Sequence, residues 1–443
     1  MPRKKVDDIP SVDDVLSLIE SDDSLSGPIL TKRKGIGIID ALRGTDGKKT
    51  SYFDSNASVV TYKTGFPQLD YYLGYKINVY DEDDKIIDSY PSIGVTGGSM
   101  ITLIGKPSTA KTTTAAQMAA NIVRTFDNGF VVHYDIEQAM NTSRIRNLTK
   151  FSMSDIKAGK YVLRQELTTI NEIKSSIIDI YLEKIKNPDL YKYKTGKLNE
   201  FGDEIELFEP TVCILDSIAT LSSGFNENDK KDLARMAEVG SQTERMRITG
   251  EIGRFFNEIL PYLRTANIIL ITINQIKDKP QLGFVHEPSE ILYLAQNESL
   301  PGGKAPQYNA SVLLKFIAVG SEKYDYETDG FDGFGIKVLI VKSRGNQAGR
   351  YVNLIYDKVR GIDPVRSSIA FAKDLGLTGG NKNSFYFTSH KDKKFSLKEV
   401  HKHFREDREL YKILFSNIVP VLESKLSMLT EEDLEVIEEE MDY

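Results

Sequence analysis

The 443-residue chain has a single cysteine, Cys213, and only five histidines. One thiol excludes a disulfide framework and any metal site of the CxxC type. Because Cys213 lies in the apolar run "TVCILDS", it is expected to be a buried structural thiol in a reducing compartment. The histidines are scattered; only His401 and His403 stand close together, in "EVHKHFRED", where a solvated helix face is expected rather than a zinc site. No apolar stretch reaches the roughly 18 residues that cross a bilayer. The N-terminal "MPRKKVDDIPSVDDVLSLIESDDSL" turns acidic at once, so it offers no signal-peptide core. These absences lead to the expectation of a soluble, cytoplasmic protein with no membrane partner.

A strong positive charge is also missing. The net charge is −7, which by itself argues against a nucleic-acid partner. The charge is unevenly placed, however: "EEDLEVIEEEMDY", from Glu431 to Tyr443, holds eight acids and no base, and without it the remainder carries a net +1. The tail reads either as a solvated terminus or as a competitor of an anionic ligand for a basic surface.

What is present is an ordinary globular composition, 40% hydrophobic and 27% charged, in a chain long enough for two or three domains. Residues 1–60 read as a separate N-terminal module with little core of its own. Four apolar segments follow, "SMITLIG", "GFVVHYD", "TVCILDS" and "NIILITIN", with helical stretches between them. Their continuous, β-branched character predicts the parallel strands of an α/β core covered on both faces. "KINVYDEDDKIIDSYPSIGV" and the charged stretch after "NEIKSSIIDIYLEKIK" read as inserted hairpins. "ASVLLKFIAVG", "FGIKVLIVKSR" and "RYVNLIYDKVRG" alternate more and predict antiparallel strands that extend the sheet. The core is thus assigned to residues 61–365, a mostly helical C-terminal region to 366–430, and the acidic tail to 431–443.

The chemistry concentrates at the strand ends. "GKPSTAKT", Gly105 to Thr112, follows the first strand and precedes the Ala-rich helix "TTAAQMAANIVR". It matches a Walker A loop except that Ala110 stands where the second glycine belongs. Backbone amides of Pro107 to Thr113, save that of the proline, would face the phosphates at the helix N-terminus. Lys111 would reach the β and γ phosphates, and Thr112 would ligate Mg²⁺. If position 110 needs a positive φ, Ala costs about 1 kcal/mol there. Asp216 ends "TVCILD" and is the second Mg²⁺ candidate. Asp135 and Glu137, at the end of "GFVVHYDIEQAM", are both candidates for the base that activates water. Asn274 and Gln275 in "ITINQI" offer amides to the γ phosphate.

The ordered series "TGFPQLDYYLG", "GKPSTAKT", "YDIEQA", "ILDSIATL", "ITINQI", "PGGKAPQYNASVLLKF", "VLIVKSRG" and "GIDP" resembles the RecA family of recombinases, and is most similar to its phage branch, the UvsX type. The resemblance spans roughly Tyr62 to Leu377. It implies a RecA-like P-loop ATPase core, with ATP and Mg²⁺ as cofactors. It also implies DNA-dependent ATP hydrolysis, helical filaments on single-stranded DNA, and pairing with double-stranded DNA and strand exchange. Glu137 takes the place of the family's catalytic glutamate, and Gln275 that of the glutamine coupling the γ phosphate to a DNA loop. Lys342 and Arg344 match a basic pair that a neighbouring protomer supplies, and Arg144 stands where many relatives stack a tyrosine on adenine. Two loops are implied to contact DNA. The first contains Arg235, Arg245 and Arg247; the second, from Lys277 to Gly303, contains Lys277, Lys279, Gly302 and Gly303. The resemblance further implies an oligomerisation role for residues 1–60, loader and single-strand-binding partners, and the cytoplasm of a phage-infected bacterium. A hexameric RecA-core motor and a DNA-binding accessory ATPase are the alternatives.

Overall fold

The computed structural model describes residues 60–81, 85–199, 204–222, 242–278, 293–295, 298–319 and 332–426. The N-terminal module and the acidic tail lie outside them. Nine strands form the central sheet. In chain order they are β1 (Met100–Gly105), β2 (Phe130–Asp135), β3 (Tyr161–Arg164), β4 (Thr211–Asp216), β5 (Ile268–Gln275), β6 (Val312–Val319), β7 (Gly333–Ser343), β8 (Tyr351–Asp357) and β9 (Gly361–Ile362). Their spatial order is β9-β8-β7-β6-β1-β5-β4-β2-β3. From β6 to β3 all neighbours are parallel, whereas β6 through β9 pair antiparallel. The expected core of parallel strands extended by antiparallel ones is therefore present.

The helices relevant here are α1 (Pro67–Leu73), α2 (Lys111–Val123), α3 (Thr142–Thr149), α4 (Ile170–Lys186), α5 (Gln242–Thr265), α6 (Pro364–Asp374), α7 (Val400–Glu406) and α8 (Glu409–Glu423). Successive residues of a strand point to opposite faces, and both faces are apolar. Val212 and Ile214 pack into one cluster with Ala115, Ala116 and Ala119 of α2. Cys213 and Leu215 pack into another with Ile173 and Ile177 of α4 and Phe255, Phe256 and Ile259 of α5. Two-sided burial explains why these strands read as continuous apolar runs. Cys213 is fully buried, as expected.

The edge of the sheet is closed by a side chain. Gln117 of α2 donates from Nε2 to the carbonyls of Arg360 and Ile362, at 3.2 and 3.1 Å, and its Oε1 accepts the Ile362 amide at 2.7 Å.

At the opposite end of the strands, Lys184 in the last turn of α4 is buried and donates to the carbonyls of Glu209 and Ala266, at 2.7 and 2.9 Å. It thereby fastens the starts of β4 and β5. Burial lowers its pKa to about 7, against smaller opposing effects of Cys213 and Glu209. A folded-state value below that of the unfolded chain means that unfolding takes up protons between pH 7 and about 10.5, so stability rises with pH across that interval. Wild-type protein should gain about 2 kcal/mol more than Lys184→Met between pH 7 and 9 in urea denaturation. Equal gains would show that the amine stays charged when folded.

The region after α6 departs from the helical expectation. Thr378–Asn381, Ser384–Phe387 and His390–Phe395 form a three-stranded antiparallel sheet. Phe385, Phe387 and Phe395 pack from it against Phe404 and Leu414 of α7 and α8. The spacing of Phe385 and Phe387 is that of a strand with one buried face, set off by Gly and Asn turns. His401 also differs from the expected solvated residue: its Nε2 lies 2.6 Å from Asp363 Oδ2, the N-cap carboxylate of α6.

Candidate functional site

The residues singled out at the ends of β1, β2, β4 and β5 lie along one edge of the sheet. Gly105 pairs with Gln275, and Asp216 with both Ile273 and Asp135. The loop from Gly105 to Ala110 then leads into α2. A Cβ on Gly105 would lie 2.6 Å from the Phe316 carbonyl oxygen, so the close approach of β6 requires glycine. Thr109 Oγ1 donates to the Lys106 carbonyl at 2.9 Å and closes the turn. Pro107 and Ser108 are exposed, while Thr109, Lys111 and Thr113 are buried.

Ala110 has φ 62° and ψ 23°, and the tolerable, near-helical backbone that would suit alanine is not what the loop adopts. The position needs the left-handed conformation, which the alanine methyl group disfavours. Ser108 shares it, at φ 61°. An Ala110→Gly variant should be more stable by about 0.5–1 kcal/mol, the relief of strain exceeding the added freedom of the unfolded chain. A urea midpoint at or below that of wild type would contradict this.

Lys111 folds back on the loop. Its Nζ donates to the carbonyls of Gly105 and Lys106, at 3.0 and 2.8 Å. Burial lowers its pKa to about 8, opposed by the charges of Asp216 and Glu137. Thr112 Oγ1 donates to Asp216 Oδ2 at 2.6 Å. Burial raises the Asp216 pKa to about 6; the Thr112 hydrogen bond opposes it, and the carboxylates of Glu137 and Asp135 add to it. A hydroxyl and a carboxylate are oxygen donors of the kind a hard divalent cation takes, so Thr112 and Asp216 stay the residues that would hold Mg²⁺.

The two base candidates separate clearly. Asp135 is buried and its oxygens are occupied: Oδ1 accepts the Ala139 amide, and Oδ2 accepts the Met140 amide and Gln165 Nε2. It anchors the turn after β2. Glu137 is exposed. Its Oε1 accepts Ser217 Oγ at 2.6 Å and Gln275 Nε2 at 2.8 Å, so the ends of β4 and β5 both orient it. The Ile136 amide also bonds to the Asp216 carbonyl at 2.9 Å.

Ser217 and His133 are neighbours that sequence reasoning does not single out. The Ser in "ILDS" is the available signal, since it directly follows the acid of a strand end. His133 is fully buried, with Nδ1 2.8 Å from the Tyr161 hydroxyl and Nε2 3.9 Å from Asp216 Oδ2. Burial lowers its pKa to about 4, so it is neutral at physiological pH and forms no ion pair. Ligand atoms of His133, Asp135 and Asp216 lie within 4.8 Å of one another, but the saturated Asp135 is committed to its turn.

Other candidates lie elsewhere. Lys342, near the end of β7, donates to the carbonyls of Gln307 and Tyr308, at 3.2 and 2.8 Å, and Arg344 is exposed. The strand that carries Lys342 and ends just before Arg344 is separated from β1 by β6, so the pair is not part of the loop's own surroundings. Arg144 is exposed on α3, and its amide donates to the Asn141 side chain.

Of the DNA-contact candidates, Arg235, Lys279 and the side chain of Arg245 lie outside the described residues. Arg247 pairs with Glu251 at 3.0 Å, and Lys277 is exposed on a two-residue strand paired with Glu298–Ser299. Gly302 and Gly303 have φ 81° and 70°, and added Cβ atoms would meet Ile218 and Thr249 at 2.9 and 2.7 Å. The turn and the packing against protein thus account for both glycines. Asn274 Nδ2 donates to the Pro301 carbonyl at 2.8 Å, a structural contact rather than one pointing to phosphate. Among the described residues no helix is long and apolar enough to cross a membrane.

No protein-family model matches the chain, and no curated protein matches it.

Proposed function

We propose that the protein is a RecA-type ATPase that assembles as a helical filament on single-stranded DNA and pairs that strand with homologous duplex. The observation that supports the ATPase part of this reading is the joint geometry at the sheet edge; the DNA and filament parts rest on the ordered motifs that resemble the RecA family. Thr112 is bonded to Asp216 beneath a phosphate-type loop, while Glu137 is held by Ser217 and Gln275 beside it. In this reading the loop amides and Lys111 bind the phosphates of ATP, and Lys111 exchanges its carbonyl partners for phosphate oxygens. Thr112 and Asp216 hold Mg²⁺, which when bound offsets phosphate charge. Glu137 orients the attacking water and takes its proton. Gln275, bonded to Glu137 and two residues before Lys277, would report the state of the phosphates to the segment proposed to contact DNA.

Lys342 and Arg344 lie two strands from the phosphate loop, which suits service to the site of a second copy. Cations supplied across an interface stabilise transition-state charge and make hydrolysis depend on assembly.

The test is ATP hydrolysis with and without single-stranded DNA, followed by negative-stain imaging of the same mixture. DNA-stimulated turnover and helical filaments are expected. Closed rings would assign a hexameric motor instead, and turnover indifferent to DNA would remove DNA from the function.

A further inference from the structure

A second concentration of charge lies away from the phosphate loop. A cavity of about 930 Å³ opens where the end of α2, the end of α3 and the turn into β9 meet α6, α7 and α8, and none of residues 105–113 lines it. Five cations do: Arg124, Lys150, Arg360, Arg405 and Arg408. Widely separated parts of the chain contribute them, so the fold gathers this charge and no basic run in the sequence announces it.

Among the described residues this charge is poorly neutralised. The carboxylate in the lining, Asp363, is already committed. Its Oδ1 accepts the Val365 and Arg366 amides, both at 3.1 Å, and its Oδ2 faces His401 Nε2 at 2.6 Å. The Arg124 guanidinium donates to the Thr149 carbonyl at 2.7 Å and lies over the Phe151 ring. Lys150, Arg360, Arg405 and Arg408 form no ion pair among the described residues. Lys150 and Arg360 are close enough to repel: the Lys150 pKa is lowered by burial and then by the Arg360 charge, with Asp357 opposing.

Like charges converging on one concavity raise the energy of the unliganded fold, and a multivalent anion lowers it. Guanidinium forks match phosphate oxygens in pairs. The volume is within the range of small-molecule sites. Five cations also exceed what a mono- or dicarboxylate balances, and suit the several charges of linked phosphates. We infer that this cavity is a second phosphate site that holds a compact chain of phosphates between the core and the C-terminal helices. Such a chain could be free polyphosphate, the tail of a nucleotide or successive phosphodiesters of a strand.

The experiment is titration calorimetry of the full-length protein with sodium tripolyphosphate at low salt. Wild type, Lys111→Ala and the double variant Arg405→Ala/Arg408→Ala are compared. Both arginines are exposed and their removal relieves repulsion, so the double variant should melt at or above the wild-type temperature while one binding event weakens at least tenfold. Lys111→Ala should retain that event, which makes the result independent of the loop's own function. Arg360→Ala, altered on a different element, should weaken the same event. ATP and a single-stranded oligonucleotide, added as competitors, assign the source: displacement by one names it, and displacement by neither assigns free polyphosphate. Tripolyphosphate binding unchanged by the arginine substitutions, or absent from Lys111→Ala protein of normal melting temperature, would overturn the inference.

Discussion

Glu137→Gln protein is expected to bind ATP and single-stranded DNA as wild type does and to hydrolyse ATP about 10²- to 10⁴-fold more slowly. Glutamine preserves the local hydrogen bonds: its carbonyl oxygen accepts the Ser217 hydroxyl and the Gln275 amide as Glu137 Oε1 does. What it lacks is the capacity to take a proton from water. Binding and turnover should therefore separate, with the affinity for ATP nearly constant and the chemical step slow. Turnover near the wild-type rate would remove Glu137 from the role of base. The neighbouring Asp135 would not replace it, because three donors already occupy its carboxylate.

Lys111→Ala should lose ATP affinity by about 100-fold or more. The ammonium now satisfies two loop carbonyls, and in the proposed reading it would exchange them for charge-assisted bonds to the phosphates of ATP. Each such bond contributes about 1.5–3 kcal/mol, and 1.4 kcal/mol is tenfold in affinity. The lysine also leaves a pH signature. Its folded-state pKa of about 8 lies below the unfolded value, so its burial opposes folding below pH 8 and that opposition fades as pH rises toward 10.5. Competition by ATP for a fluorescent analogue measures the first effect. An affinity within threefold of wild type would place the phosphates somewhere other than this loop.

The four parallel strands with chemistry at their ends were legible because burial on both faces leaves an unbroken apolar run that stops where a polar residue meets solvent. Asp216, Glu137 and Gln275 stand at or just beyond such stops, which is why spacing alone found the edge that unites them. The backbone at Ala110 was not legible, since one residue's φ depends on how the loop must turn to enter α2. β3, only four residues long, carries too short a pattern to separate from its surroundings. The sheet around Phe385 and Phe395 is hard to read from sequence because its strands alternate over few residues amid helices. The basic cavity is not legible at all: its cations come from four separate stretches, around residues 124, 150, 360 and 405–408, which only the fold brings together.

The bonds between Gln117 and β9 bear on how copies of the chain can meet. Among the described residues β9 is the last strand of the sheet, and an outer row of unpaired backbone groups is a template onto which another molecule's strand can add. The side-chain amide of Gln117 occupies that row as a one-residue surrogate strand. At this border the amide stands where the backbone of an added strand would otherwise bond. If copies of the chain assemble as proposed, their contacts at this border would form between side chains, without the runaway stacking that an open border invites.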